Sequence, residues 1–162
     1  QGSAVQLVRL VIEKLQGFRD TVVHKGRLVH FYKRAQILVS DLWAAYGRQM
    51  GESSHFAAFT DMHELTMFAD YRVPQILRYK GILTYAPELA AQIDSKAPLD
   101  FGCDAETEIR AATVVAVDRI RDAIQKAGVN ILTVEVDWLL WNAGEVSLDL
   151  MEPHHRTHTI YY

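Results

Sequence analysis

Pro74 divides the central stretch of the chain and limits what that stretch can fold into. It lies in Leu65–Leu77, LTMFADYRVPQIL, at a break between two helical patterns. Proline has no amide proton to give a helix interior, and it biases Val73 toward extended backbone. Asp61, with Glu64 three residues on, carries a capping-box signature, so a helix is expected to start there with Leu65 and Phe68 on its apolar face. A second helix is expected from Pro74, a residue suited to a first turn, to Lys80, with Gly81 ending it. Asp70 falls at the seam. It reads either as a cap of the second helix or as a carboxylate aimed from a rigid junction into a pocket, with Phe68 as a stacking surface beside it.

The flanking segments also read as helices. Residues 4 to 15 form one pattern, followed by a polar stretch from Gly17 to Lys25 that Gly26 punctuates. Leu28 to Arg48 is the longest apolar segment and is apolar on nearly every side, the mark of a buried helix. Lys33, Arg34, Gln36 and Asp41 within it need partners or a wet pocket, although the two long cations can also snorkel. Gly51 to Phe59 reads as a loop. Pro87 opens a short helix, PELAAQID, and Ser95 to Gly102 reads as a loop. Asp104 can cap a long helix to Lys126, whose buried stripe is Ile109, Thr113, Ala116, Ile120, Ala123 and Ala127, with Gly128 after it. Asn130 to Asn142 alternates like a strand at Leu132, Val134 and Val136. Its length, Asn130 as a cap and Leu139-Leu140-Trp141 favour a helix. The closing HHRTHTIYY is expected to be extended. The sum is an all-α fold, one helical domain over residues 1–162.

Composition narrows the function classes. With 162 residues and 49% apolar content, the chain can bury a real core. A net charge of −3 disfavours tight binding to a long nucleic acid. The single Cys103 fits a reducing compartment, so a cytoplasmic location is expected, and no apolar run approaches a membrane span.

Asp137 is the most informative charge. Val136, Trp138, Leu140 and Trp141 surround it, and a carboxylate among such neighbours is costly unless paired or employed. Arg110 or Arg156 could pair with it. Alternatively, it could support a developing cation in a dry pocket. On a helix Trp138 and Asn142 share one face, an aromatic plate beside an amide that suits a flat heterocycle. His154, His155 and His158 lack a local further ligand, which makes a zinc site a poor reading, but with Arg156 they form a cationic cluster that could meet a phosphate. There is no Gly-rich phosphate loop, GxSxG, CxxC or HExxH.

The pieces FYKRAQILVSDLWAAYG, LTMFADYRVPQILRYKGIL, EIRAATV, VDWLLWN and HHRTHTIYY run collinearly from Phe18 to Tyr162. Together they resemble the queuosine salvage protein family, whose members act as queuosine 5′-phosphate N-glycohydrolases. The resemblance implies an all-helical fold related to helix-hairpin-helix DNA glycosylases. It implies hydrolysis of the N-glycosidic bond of queuosine 5′-phosphate, releasing the 7-deazaguanine base queuine for salvage into tRNA modification, with no metal and no cofactor. Carried over by position, Asp137 looks like the catalytic aspartate, and Phe68, Asp70, Trp138 and Asn142 like the base pocket. Lys33, Arg72 or Arg156 would hold the phosphate. Trp138 stands where the family often has tyrosine, and Asn142 where it often has aspartate, which removes a charge.

The same pocket could serve a deazapurine-binding module without turnover. A DNA-repair base glycosylase would need a basic path for the duplex, which this charge balance does not supply. A helical interaction scaffold would use the aspartates only as caps and ion pairs. Family members are longer, and this chain looks like their C-terminal half. An N-terminal half contributing a site histidine is therefore expected as its partner, and the chain alone is expected to expose an apolar patch.

Overall fold

A computed structural model of the chain describes residues 2–47 and 56–162. The elements run α1 (Ala4–Lys14), a 3₁₀ turn (Gln16–Phe18), β1 (Thr21–His24), β2 (Arg27–His30), α2 (Lys33–Leu42), a π-helical turn (Trp43–Gly47) and a second 3₁₀ turn (Met62–Glu64). After these come α3 (Arg72–Tyr79), α4 (Pro87–Asp94), β3 (Pro98–Leu99), α5 (Asp104–Lys126), α6 (Thr133–Val146), a 3₁₀ turn (Leu148–Leu150) and β4 (Arg156–Thr157). The expected all-α fold is therefore corrected: two small sheets accompany the helices. β1 and β2 form an antiparallel hairpin, and β3 pairs in parallel with β4 of the extended tail. No helix among the described residues is long and apolar enough to cross a membrane.

The hairpin overturns the expected start of the buried helix. Lys25 and Gly26 both take positive φ, 49° and 76°, the pair of left-handed residues that makes a tight turn match the twist of two strands. Thr21 then faces His30, and Val23 faces Leu28. Leu28 and Val29 are thus strand residues, and the helix begins only at Lys33. Asp20 fixes that beginning: its carbonyl accepts the Phe31 and Tyr32 N–H groups at 3.0 and 3.2 Å, and its carboxylate accepts the Lys33 N–H at 3.2 Å. Arg48, at the expected end of this helix, and most of the expected Gly51–Phe59 loop lie outside the described residues.

The helix expected from Asp61 does not form beyond one 3₁₀ turn, and residues 65–70 lie outside any helix or strand. Asp61 serves a different helix. Its carboxylate accepts the Ser3 hydroxyl and the Ala4 N–H, both at 2.6 Å, and so caps α1 across the fold. Of the other helices, α4 is PELAAQID and α5 runs Asp104–Lys126 as expected, whereas α3 begins at Arg72, two residues before Pro74 and with Val73 helical, and the helix expected from Asn130 begins at Thr133, with Leu132 as its N-cap, and runs on to Val146. Cys103 rather than Asp104 is the N-cap of α5.

The core has two main parts. In one, α1 and α2 close over Leu65, Phe68 and Val134; in the other, β1 packs with α3, α5 and α6 around Met67, Val73, Val117 and Val136. Between α3 and α6 the approach is close, and a Cβ at Gly144 would meet Arg72 Cδ at 2.9 Å. A buried ion cluster crosses the second part. Arg110 donates to Asp20 Oδ1 and Oδ2 at 3.0 and 2.5 Å and approaches Glu106 at 3.4 Å, with all three side chains fully buried. Its guanidinium lies 3.9 Å from the centre of the Phe31 ring and 4.6 Å from that of Tyr162, whose hydroxyl donates to Glu106 at 2.7 Å. One arginine thus ties the hairpin, α5 and the tail together.

Candidate active site

Residues 65–70 pair with no strand among the described residues, so their backbone polar groups need other partners. Side chains from three helices supply them. Gln36 of α2 accepts the Thr66 N–H at 2.9 Å. Asp137 of α6 accepts the Phe68 N–H through Oδ1 at 3.0 Å. Arg110 of α5 donates from Nε to the Ala69 carbonyl at 2.9 Å. The segment ends at Asp70, whose Oδ1 accepts the N–H groups of Arg72 and Val73 at 3.0 Å each and so holds the first turn of α3. Asp70 is therefore a helix cap, and the same carboxylate also faces a pocket.

That pocket is a cavity of about 380 Å³ lined by Lys33, Ile37, Asp41, Phe68, Asp70, Asp137, Trp138 and Trp141, within the range that holds a small organic ligand. Lys33, Ile37 and Asp41 recur at steps of four along one face of α2, and Asp137, Trp138 and Trp141 come from the second turn of α6 and beyond. Trp138 is backed by Trp43, with ring centres 6.3 Å apart and planes 21° from parallel. A larger groove of about 560 Å³ along α5 is lined by alanines and aliphatic residues with Arg119 as its single charge, and offers little chemistry.

Electrostatics single out Asp137. Only 3% of the residue is exposed. Burial pushes its carboxyl up to about 8; the Phe68 N–H and Lys33 oppose the shift and Asp70 adds to it. Burial also raises Asp70, against the Val73 and Arg72 N–H bonds and the Lys33 charge. Neither Oδ2 atom has a protein partner among the described residues, so each remains open to a ligand. Burial thus favours the protonated carboxyl at neutral pH, and a cation beside it would favour the ionised form.

The structure brings together Lys33, Phe68, Asp70, Asp137 and Trp138 and leaves three expected residues elsewhere. Asn142 turns back and donates to the Trp138 carbonyl at 2.8 Å on the outer side of α6. Arg72 pairs with Glu145 at 2.7 Å and with Gln75 at 2.6 Å. Arg156 lies in β4 beside a second cavity lined by Tyr71, His154, His155 and Tyr162. Arg110, offered as a partner for Asp137, is engaged by Asp20 and Glu106 instead. Among the described residues no group of three or more His, Cys, Asp or Glu is placed to hold a metal ion. His155 is buried with its Nε2 3.3 Å from the Tyr162 hydroxyl, and burial, with His154 and Arg110 nearby, pushes its ring down to about 3, so it is neutral.

Ile37 and Trp141 were not singled out as pocket residues, and Asp41 only as a polar group of the helix that needs a partner or a wet pocket. The signal was present: Lys33, Ile37 and Asp41 share a helix face, and the two tryptophans follow Asp137 by one and four positions.

A pocket with aromatic walls and buried carboxylates on a helical frame has the chemistry to take a flat, cationic organic group. The chain belongs to the queuosine salvage protein family, whose model matches residues 1–162. It is 50% identical over 157 residues to a queuosine 5′-phosphate N-glycosylase/hydrolase of Dictyostelium discoideum, covering 96% of this chain and 47% of that protein. It is 45% identical over 160 residues to the protein of that name from Sphaerobacter thermophilus, covering 99% and 48%. The Mus musculus protein of that name is 37% identical over 169 residues, with the same coverage of 99% and 48%. The chain spans about half the length of these curated relatives.

Proposed function

We propose that the full-length protein hydrolyses the N-glycosidic bond of queuosine 5′-phosphate and that this chain supplies the carboxylate side of its active site. The observation that carries the reading is Asp137, a buried carboxyl with one oxygen fixed on the Phe68 N–H and the other free, in a pocket walled by tryptophans. The names of the relatives support the substrate.

In the reaction water adds its hydroxyl to C1′, the C1′–N bond breaks, and the base leaves with a proton. Positive charge builds on the sugar as that bond opens. Asp137, in its ionised form, faces that charge in a site where water is sparse and its attraction is strong. Phe68 and Trp138 hold the flat base. Asp70 Oδ2 accepts from the base's N–H donors. Lys33, the cation among the lining residues, meets the 5′-phosphate.

Incubation of the full-length protein with queuosine 5′-phosphate is the test. The expected products are equimolar queuine and ribose 5-phosphate. An unchanged nucleotide, with binding intact, would leave a binding protein in place of a hydrolase.

A further inference from the structure

Lys33 and Asp41 stand eight residues apart on the α2 face that forms one pocket wall, about 12 Å along the helix axis at 1.5 Å per residue. The wall is therefore polar end to end, with an ammonium at the N-terminal end and a carboxylate at the C-terminal end. Asp41 is exposed at its end of the wall and makes no hydrogen bond or ion pair among the described residues. Ile37 between the two charges and Trp141 opposite on α6 leave it an apolar surround on the pocket side.

Resting on the proposed hydrolase reading, we infer that Asp41 is a specificity-determining residue that reads a positively charged amine on the substituent of the bound deazapurine. A ligand with an anionic phosphate at one end and a cationic amine at the other matches the polarity of the α2 wall. A neutral base of the same shape gains nothing from Asp41. The inner carboxylates, Asp70 and Asp137, have other tasks, so the outer one is free for this discrimination. Desolvation raises its carboxyl, and an opposite charge beside it would lower it again.

The test is calorimetric binding of two free bases to the full-length protein. One is 7-aminomethyl-7-deazaguanine, cationic at neutral pH, and the other is 7-cyano-7-deazaguanine, neutral and of similar size. The wild type should prefer the cationic base. Asp41→Asn, an isosteric change at an exposed site, should reduce that preference by about fivefold, the scale of a partly exposed charge pair. Asp41→Glu should restore most of it, and added salt should shrink the preference in the wild type. An unchanged ratio in Asp41→Asn, or no preference in the wild type, overturns the assignment. Queuine release is measured separately. A protein that shows the Asp41-dependent preference but releases no queuine would sink the hydrolase reading alone, whereas release with an unchanged ratio would sink only the role of Asp41.

Discussion

Asp137 accepts the Phe68 N–H at 3.0 Å, so a buried hydrogen bond joins the candidate catalytic carboxyl to the backbone of the aromatic beside it. Asparagine at this position keeps an oxygen for that N–H, whereas alanine leaves the donor buried and unpaired. Asp137→Ala should therefore cost about 1–3 kcal/mol of stability, the penalty for an unsatisfied buried donor, and Asp137→Asn clearly less. Urea titrations of the two variants compare them. Equal losses would show that the bond does not hold the segment.

The same carboxyl makes stability depend on pH in an unusual direction. Burial raises it from 3.8 to about 8, so between those values the folded chain binds a proton that the unfolded chain has lost. Stability from this group therefore falls as pH rises from about 4 to about 8, by at most about 1.4 kcal/mol per pH unit, and then levels. Asp137→Asn should flatten this part of the profile. Melting temperatures of both proteins across pH 5 to 9 give the check. A wild type that gains stability over this window relative to the variant would contradict the assignment.

Asp70 has two tasks, and their effects separate. Losing the bonds to Arg72 and Val73 by Asp70→Ala should lower stability by about 0.5–2 kcal/mol, as for other helix caps. Losing the pocket-facing oxygen should weaken base binding by about 1.5–3 kcal/mol, as for hydrogen bonds to a charged group. Calorimetry with queuine, beside a denaturation curve, reads both. Unchanged affinity with reduced stability would leave Asp70 a cap alone.

Arg110 does not touch the pocket, yet it holds the Ala69 carbonyl between Phe68 and Asp70. Arg110→Met removes that bond and strands Asp20 and Glu106 in the interior. The expected cost is about 3–5 kcal/mol, as when one partner of a buried ion pair is deleted. Thermal unfolding measures it, and a loss below about 1 kcal/mol would mean that water or relaxation replaces the arginine.

Local chemistry made the helices legible. Pro87 at the start of α4, the stripe of α5 and the length of the VDWLLWN segment each announced their element, although Ala123 and Ala127, expected in that stripe, are exposed. The hairpin was hidden because its turn is Lys-Gly rather than the usual Asn-Gly or Asp-Gly, and because Leu28 and Val29 run on into an apolar helix. Asp61 and Glu64 mimicked a capping box, but the cap serves Ala4, fifty-seven residues away in sequence. Long-range bonds of this kind leave no local trace. The same holds for the site. Asp137, Phe68, Asp70 and Trp138 stood out by chemistry or by resemblance, whereas Asp41, legible only as a polar residue that needs a partner or a wet pocket, joins them once α2 lies beside α6.

The central claim is that Asp137 acts on the transition state more than on the bound base. Queuine release by the full-length protein, wild type against Asp137→Asn, with queuine affinity measured on both, tests it most directly. The account predicts a kcat below about a tenth of the wild-type value with affinity retained within about tenfold. A variant that releases queuine at more than about a tenth of the wild-type kcat would remove Asp137 from the chemistry.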